Sequence, residues 1–349
     1  MRALSSGYET AEAARLKCYV AANGRDPRFP EDIKDYLTSR GFEVIGNPFS
    51  GKVSEDELID LIKDVDGTLA ANEPYTAKVF DSLPKLKIVS RVGVGFDTVD
   101  VKAATERGVI VTTSPVRELA QAMAEHTFAL LLSFTKKVPQ LNSDLRKGDW
   151  RPGYWGKQMT DLYGLTFGLF GVGRIGSEVA KRAKAFDMKL IYHDVVRRED
   201  LEKSLGMEYV SFDRLLAESD VLSLHTPLSP ATKGIIDDAA FAKMKPSAIL
   251  VNTARGAVVD EPALVRALET GRIAGACLDA YSLEPLAAPH PLHKLEDRLP
   301  NLVITPHLGY GARTGRAMIY YAATQMIDGV EGRVPQNMLN PEVIARRRH

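Results

Sequence analysis

The sequence predicts an α/β protein built from two parallel-sheet domains, and three observations carry that prediction. Apolar strand-like runs alternate with helical patterns along nearly the whole chain, as expected of strands joined by crossover helices. At 349 residues the chain is longer than one typical domain. The third observation is the run Thr166-Phe-Gly-Leu-Phe-Gly171-Val-Gly173-Arg-Ile-Gly176, a short apolar strand and a glycine turn followed by helical periodicity to Phe186. In that context G-x-G-x-x-G reads as a dinucleotide-binding turn.

Each glycine of the turn has its own reason. Gly171 allows the tight bend, Gly173 lets the backbone approach a pyrophosphate, and Gly176 lets the helix pack close to the strand. The free N–H groups and positive dipole end of the helix then receive phosphates. A second apolar strand, Lys189 to His193, ends at Asp194, 18 residues after Gly176. A carboxylate there accepts the ribose hydroxyls and repels a 2′-phosphate, so NAD is expected over NADP. Arg197 and Arg198 are near enough in sequence to soften that preference.

In the first third the strands are Leu16–Val20, Glu43–Ile45, Gly67–Ala70, Lys87–Arg91 and Val109–Thr112, with helices such as Pro30–Ser39 and Ser54–Ile62 between them. After Thr113-Ser-Pro115 a long helix begins at Leu119. The tract Arg146 to Leu162, rich in Gly, Trp and Tyr, has no clear period and is expected to form an ordered loop or arm. The nucleotide unit starts at Thr166 and continues with Val221–His225, Ala248–Asn252, Ala274–Asp279 and Leu302–Thr305, before a last helix at Arg313–Val330. A nucleotide unit flanked on both sides implies a discontinuous second domain. The expected division is residues 1–117 and 308–349 for the substrate domain and 118–307 for the dinucleotide domain. A cleft is expected at the crossings near Ser114–Glu118 and His307–Gly311.

Composition narrows the function classes. Lys+Arg and Asp+Glu both count 45, so no net field favours nucleic acid or anionic lipid. The basic run Arg346-Arg347-Arg348 is expected to be a frayed, solvated end. Cys18 and Cys277 both fall in apolar strands, which suggests two buried thiols in a reducing cytoplasm. Leu119 to Phe134 is the nearest approach to a membrane span, but Gln121, Glu125 and His126 interrupt it. The first residues carry Arg2, Ser5 and Ser6 without an apolar signal core, while Glu9 and Glu12 argue against a transit peptide. No nucleic acid, membrane or metal is expected as a partner.

Three polar residues fall just after strands, at the carboxyl edge where ligands of open α/β sheets bind. Arg255 follows Ile249-Leu-Val-Asn-Thr-Ala, Glu284 lies five residues beyond Asp279, and His307 follows Val303-Ile-Thr-Pro306. Hydride transfer to or from an alcohol carbon needs a group that moves the hydroxyl proton, and histidine titrates in the useful range. A carboxylate beside it would stabilise the imidazolium, and arginine suits a carboxylate substrate through paired hydrogen bonds. Alone, each has an ordinary structural alternative: a loop ion pair for Arg255, a charge before Pro285 for Glu284, a capped loop for His307. Their shared place beside a nucleotide fold favours the chemical reading.

These blocks resemble the D-isomer-specific 2-hydroxyacid dehydrogenases, from roughly Leu16 to Pro341. Ser90-Arg-Val-Gly-Val-Gly-Phe-Asp97 is similar to that family's substrate loop, Gly171 to Gly176 to its cofactor loop, and Val251-Asn-Thr-Ala-Arg-Gly256 to the segment whose Arg binds substrate. Asp279-Ala-Tyr-Ser-Leu-Glu-Pro285 and Thr305-Pro-His-Leu-Gly309 match the paired glutamate and the acid/base histidine. The resemblance implies two flavodoxin/Rossmann-like domains, the cofactor domain inserted into a discontinuous substrate domain. It also implies NAD-dependent exchange of a hydride with a small 2-keto or 2-hydroxy acid, and a homodimer formed through the long helix from Leu119 and the Trp150–Tyr163 arm. Arg255, Glu284 and His307 would be catalytic, and backbone N–H groups at Val94 and Gly95 would hold the substrate carboxylate. Arg174, Ile175, Thr226, Ala254 and Asp279 would join the glycines and Asp194 around the cofactor.

Departures from relatives restrict the substrate. The loop Leu69-Ala-Ala-Asn-Glu73-Pro-Tyr75 has no Arg or Lys for a phosphate, and Glu73 would repel one, though Arg91 could substitute. Glu284 argues against formate, whose oxidation needs no base. Oxidation of another small anion such as phosphite, or a non-enzymatic NAD-sensing role like that of corepressors of this fold, retains the same three residues. Tyr281 and Tyr310 are candidates for shaping a pocket. His225 reads as packing beside the cofactor and His126 as a satisfied core or interface residue, while His193, His290 and His293 receive no role.

Overall fold

The computed structural model describes residues 15–21, 30–49, 52–286, 288–293 and 301–348. Arg2, Ser5, Ser6, Glu9 and Glu12 lie outside the described residues. The described residues through Val116, with those from Gly315 onward, form one compact unit, and Arg117–Thr314 form the other.

The first unit alternates strand and helix: β1 (Leu16–Val20), α1 (Ile33–Thr38), β2 (Phe42–Gly46), α2 (Glu55–Ile62), β3 (Gly67–Ala70), α3 (Ala77–Ser82), β4 (Ile88–Arg91), α4 (Val101–Glu106) and β5 (Ile110–Thr112). The strands pair in parallel in the order β2-β1-β3-β4-β5, which is the flavodoxin-like order. Both faces are covered, so the strands carry almost unbroken apolar runs rather than alternation. One apolar layer gathers Leu58, Ile62, Phe80, Val89 and Val111, and the other Leu37, Phe42, Ile88 and Ile319. Helix α2 starts cleanly because Ser54 and Glu57 exchange side-chain and backbone hydrogen bonds in a capping box.

The second unit begins with the long helix α5 (Arg117–Lys136), then α6 (Val138–Arg146) and α7 (Pro152–Gly156). Next come β6 (Thr166–Phe170), α8 (Arg174–Ala185), β7 (Lys189–His193), α9 (Glu199–Leu205), β8 (Glu208–Tyr209) and α10 (Phe212–Glu218). The unit continues with β9 (Val221–Leu224), α11 (Asp238–Lys243), β10 (Ile249–Asn252), α12 (Glu261–Glu269), β11 (Gly275–Leu278) and β12 (Leu302–Ile304). The last helix, α13 (Ala312–Val330), belongs to the first unit from Gly315 onward. Seven parallel strands run in the order β12-β11-β10-β9-β6-β7-β8. That is the doubly wound Rossmann order extended by one strand, and the winding reverses between β6 and β9.

Two segments differ from expectation. Arg146–Leu162 is not simply a loop: α6 precedes it, α7 lies inside it, and buried Trp155 donates its Nε1–H to Asp144 at 2.7 Å. The second difference is the basic tail, which is bound rather than frayed. Arg348 donates Nε–H to Arg107 O at 2.7 Å and Nη1–H to Leu86 O at 3.1 Å and to Leu83 O, while its own N–H reaches Gly108 O at 3.0 Å. These carbonyls lie where α3 and α4 end, and a helix leaves its last carbonyls without intrahelical donors. Arginine supplies several donors at once.

Among the described residues no helix is long and apolar enough to cross a membrane. Cys18 and Cys277 are both buried free thiols, and burial pushes the Cys18 thiol up to about 12.

Replacing Arg348 by Ala leaves those carbonyls short of donors, so stability should fall by roughly 1.5–3 kcal/mol, the usual worth of hydrogen bonds to a charged group. Urea unfolding of the variant would read this directly, and an unchanged midpoint would return the tail to a solvated role.

Candidate active site

The glycine turn sits at the reversal point between β6 and β9. Gly171 has φ +91°, open to glycine at little cost, and a Cβ there would stand 2.8 Å from the His225 carbonyl carbon. At Gly176 a Cβ would meet Gly171 O at 2.3 Å, which is why the helix can approach the turn so closely. A Cβ on Gly173 would meet nothing within 4 Å. Gly173 is also the N-cap of α8 and offers no capping side chain, leaving the first N–H groups available.

Asp194 braces this turn. Its Oδ2 accepts the Val172 N–H at 2.7 Å, and its Oδ1 accepts the Val196 N–H at 3.2 Å. Arg198 holds the other side of the same residue, donating Nη1–H to Val172 O at 2.7 Å. The rest of the Arg198 guanidinium pairs with Asp200 at 2.8 and 2.7 Å, and Arg197 pairs with Glu202 at 2.9 Å. Arg174 is exposed at the start of α8, Ile175 packs onto the core below it, and Thr226 and Ala254 follow β9 and β10 at the same sheet edge. His225 Nε2 lies 2.8 Å from Ser223 Oγ, and burial pushes its imidazole down to about 3, so it stays neutral.

At the end of β11, Asp279 is 1% exposed. Its Oδ1 accepts from Thr305 Oγ1 at 2.6 Å and from the Leu308 N–H at 3.0 Å, with His126 Nε2 at 3.3 Å. Burial would raise its carboxyl, but these donors outweigh burial and hold it below the usual carboxylate range. Oδ2 is buried with no hydrogen-bond partner among the described residues. Such an atom is available to a donor from a bound molecule, and a nicotinamide carboxamide carries two N–H groups. With the open space at Gly173, these residues fit a nicotinamide dinucleotide.

The three candidate catalytic residues come from adjacent strand ends of this unit. Asn252 closes the turn after β10, donating Nδ2–H to Arg255 O at 3.0 Å and accepting the Ala254 N–H at 3.0 Å. Gly256 is pressed against the next loop: a Cβ there would lie 1.8 Å from the Tyr281 carbonyl carbon. That contact brings the Arg255 turn beside the Tyr281–Glu284 segment. Glu284 Oε1 accepts the Tyr281 N–H at 3.0 Å, and Oε2 lies 2.7 Å from His307 Nδ1. Burial raises the Glu284 carboxyl, but His307, the Tyr281 N–H and the Arg255 charge together hold it below its ordinary value. An ionised carboxylate only accepts, so Nδ1 carries the proton and Nε2 is the ring nitrogen left for chemistry. His307 has φ +52°, held there by its own N–H to Thr305 O at 3.0 Å and by the Leu308 N–H to Asp279.

In the first unit, Val94 and Gly95 lie in the exposed loop after β4. Arg91 supports that loop through Nε–H to Gly95 O at 2.8 Å, and the Ser114 N–H donates to Gly93 O at 2.8 Å. Glu73, read from sequence as facing a ligand, is turned inward at 5% exposure, accepting from Tyr19 Oη at 3.1 Å and the Ala71 N–H at 2.8 Å. Tyr281 is 7% exposed; its ring packs in the core and its hydroxyl donates to Thr305 O at 2.7 Å. His193 and His290 have structural partners, Val210 O at 2.8 Å and Glu261 at 2.9 Å. His126 is satisfied, as expected, but its partners are Asp279 and Thr305. Met123 rests on Gly309 and His126 stands three residues later, a helical spacing that places both on the site's side of α5. Among the described residues no group of three or more His, Cys, Asp or Glu is placed to hold a metal ion.

Residues 128–309 match the family described as D-isomer specific 2-hydroxyacid dehydrogenase, NAD binding domain. The chain belongs to this family. Among its relatives is a glyoxylate reductase of Korarchaeum cryptofilum, 41% identical over 322 residues, covering 89% of this chain and 96% of that protein. A solved Thermus thermophilus protein is 39% identical with a TM-score of 0.82, covering 93% of this chain and 100% of that one. A glyoxylate reductase from Paecilomyes thermophila is 30% identical with a TM-score of 0.80, covering 94% and 99%. Family membership makes the protein an oxidoreductase that uses a nicotinamide cofactor.

The lowered Glu284 carboxyl has a consequence in acid. Its contribution to stability is complete above the ordinary value of 4.5 and is lost as pH falls through the lower folded value. Unfolding free energies of wild type and Glu284→Gln, measured from pH 7 to pH 3, should therefore converge below about pH 4.5. A constant gap across that range would show that the carboxylate is not stabilised by its partners.

Proposed function

We infer that the protein interconverts a small 2-keto acid and the matching D-2-hydroxy acid with NAD(H), glyoxylate being the first substrate to test. The observation that carries this reading is the 2.7 Å contact of His307 Nδ1 with Glu284, beside the Arg255 turn at the carboxyl edge of a Rossmann-ordered sheet. The glyoxylate reductases among the relatives support a substrate of this size. A bound nicotinamide supplies the hydride for reduction or accepts it in oxidation. His307 Nε2 gives a proton to the carbonyl oxygen in reduction and takes it back in oxidation, while Glu284 fixes the ring by holding Nδ1–H. Arg255 holds the substrate carboxylate and polarises the carbonyl. Val94 and Gly95 are assigned as backbone donors to the same carboxylate class.

Cofactor choice follows from Asp194 and from what the arginines already hold. The carboxylate stands at the end of β7, where ribose hydroxyls are received. Arg197 and Arg198 are each engaged by a carboxylate, Glu202 and Asp200, so attracting a 2′-phosphate would require giving up those partners. NAD is the preferred form in this reading. The buried thiols Cys18 and Cys277 support a reducing compartment, the cytoplasm.

Turnover with NADH against glyoxylate, hydroxypyruvate, pyruvate and phenylpyruvate tests the activity, and NADPH in parallel tests the preference. No turnover with any 2-keto acid would sink the reading. His307→Ala should cost on the order of 10²–10⁴ in kcat. Glu284→Gln should be milder, since an amide oxygen can still accept from Nδ1. Arg255→Lys should raise KM and lower kcat because an ammonium lacks the planar fork.

The assembly proposed is a homodimer through α5 and the arm, supported by exposed aromatics there: Trp150 at 78% and Tyr163 at 73%. Light scattering should give twice the chain mass of 38.3 kDa, and Trp150→Glu with Tyr163→Glu should shift it toward monomer. A wild-type monomer would refute it.

A further inference from the structure

We propose that His126 is a positioning residue for the cofactor: with Thr305 it commits one oxygen of Asp279 and leaves the other as the acceptor for the nicotinamide carboxamide. The inference rests on the nicotinamide reading above and adds a residue which that reading does not use. His126 Nε2 lies 3.1 Å from Thr305 Oγ1 and 3.3 Å from Asp279 Oδ1. Thr305 has a single hydroxyl proton, and its 2.6 Å separation from Asp279 Oδ1 requires that proton to lie between them. Were it turned to His126 instead, two oxygen acceptors would face each other at that distance. Nε2 of His126 must therefore carry the hydrogen and act as the donor to both oxygens. Oδ1 thus receives the Thr305 hydroxyl, the Leu308 N–H and the His126 N–H, whereas Oδ2 is buried and receives none.

This asymmetry carries function. A carboxylate can rotate about its Cβ–Cγ bond and exchange its oxygens, unless one of them is held by several donors. Three donors from α5, from the end of β12 and from the residue after His307 hold Oδ1, so Oδ2 keeps a fixed direction. The neighbouring residue Thr127 lies 3.1 Å from Thr253 through its hydroxyl, so α5 also steadies the turn that carries Arg255. Two consecutive helical residues therefore brace the strand ends on which the proton-transfer residue and the anion-binding residue stand.

The test compares binding of NADH with binding of ADP-ribose, which keeps the pyrophosphate and adenosine but has no nicotinamide. Dissociation constants by calorimetry on the full chain need no turnover. His126→Leu, which removes the donor, should weaken NADH at least about tenfold and leave ADP-ribose within about twofold. His126→Gln, whose amide nitrogen can replace Nε2–H, should restore NADH to within about threefold. Thr305→Val should reproduce the selective loss, and with His126→Gln it carries the test if the leucine variant does not fold. A merely structural role would weaken both ligands together, and that result, or unchanged NADH binding in both His126→Leu and Thr305→Val, overturns the proposal. Wild-type protein that binds neither ligand would instead overturn the nicotinamide reading itself.

Discussion

The buried carboxylate of Asp279 is the constraint around which the second unit's site is arranged. It ends β11, yet its Oδ1 gathers a hydroxyl from the end of β12, a backbone N–H from Leu308 and an imidazole from α5. An ionised group at 1% exposure is tolerable only when donors replace water. The donors it recruits flank His307 on both sides, Thr305 before it and Leu308 after it. His307 is consequently fixed in a left-handed backbone conformation at φ +52°, a state that side-chain-bearing residues hold only when their surroundings over-determine it. The Nδ1 contact with Glu284 completes the orientation of the ring.

A second constraint acts through the absence of a side chain. Gly256 has no room for a Cβ against the Tyr281 backbone, so the turn after β10 and the segment after β11 interlock. That packing places the Arg255 charge close enough to Glu284 to lower its carboxyl. The same logic operates at the glycine turn, where Gly176 admits the carbonyl of Gly171 at a distance no Cβ would allow. Asp194 and Arg198 then hold opposite sides of Val172. The parts that would touch a dinucleotide are thus formed by backbone held in place by charge.

Much of this is legible in the sequence because it rests on short-range rules. The parallel strands are mostly apolar runs, so β1, β3 and β7 have the predicted bounds, and the glycine spacing locates the turn. The residues at strand ends can be named as a group because strand order fixes where chain ends meet a ligand. What escapes has no local signature. Strand β8 is only two residues long. The Arg346–Arg348 run resembles solvated charge, yet the Nε contact of Arg348 with the Arg107 carbonyl spans 241 residues of sequence. Glu73 reads as facing a ligand, but its direction depends on Tyr19, which lies far along the chain.

His126 shows the same limit in its sharpest form. On a helix that is otherwise mostly apolar it reads as a residue whose polarity is merely tolerated. Its spacing from Met123 indicates a face, but not that Asp279 stands opposite. Once the pair is seen, the energetic argument changes direction. A buried acceptor left without a donor costs about 1–3 kcal/mol, comparable to the strain of about 1–3 kcal/mol for a side-chain-bearing residue held in a sparsely populated backbone region. A fold that carries both costs at one strand edge, with its donors concentrated on a single oxygen, is prepared for a ligand that satisfies the other. The free energy recovered when that oxygen gains an N–H is then available only to a molecule bearing a donor at that point, which makes the unsatisfied atom a source of selectivity as well as of affinity.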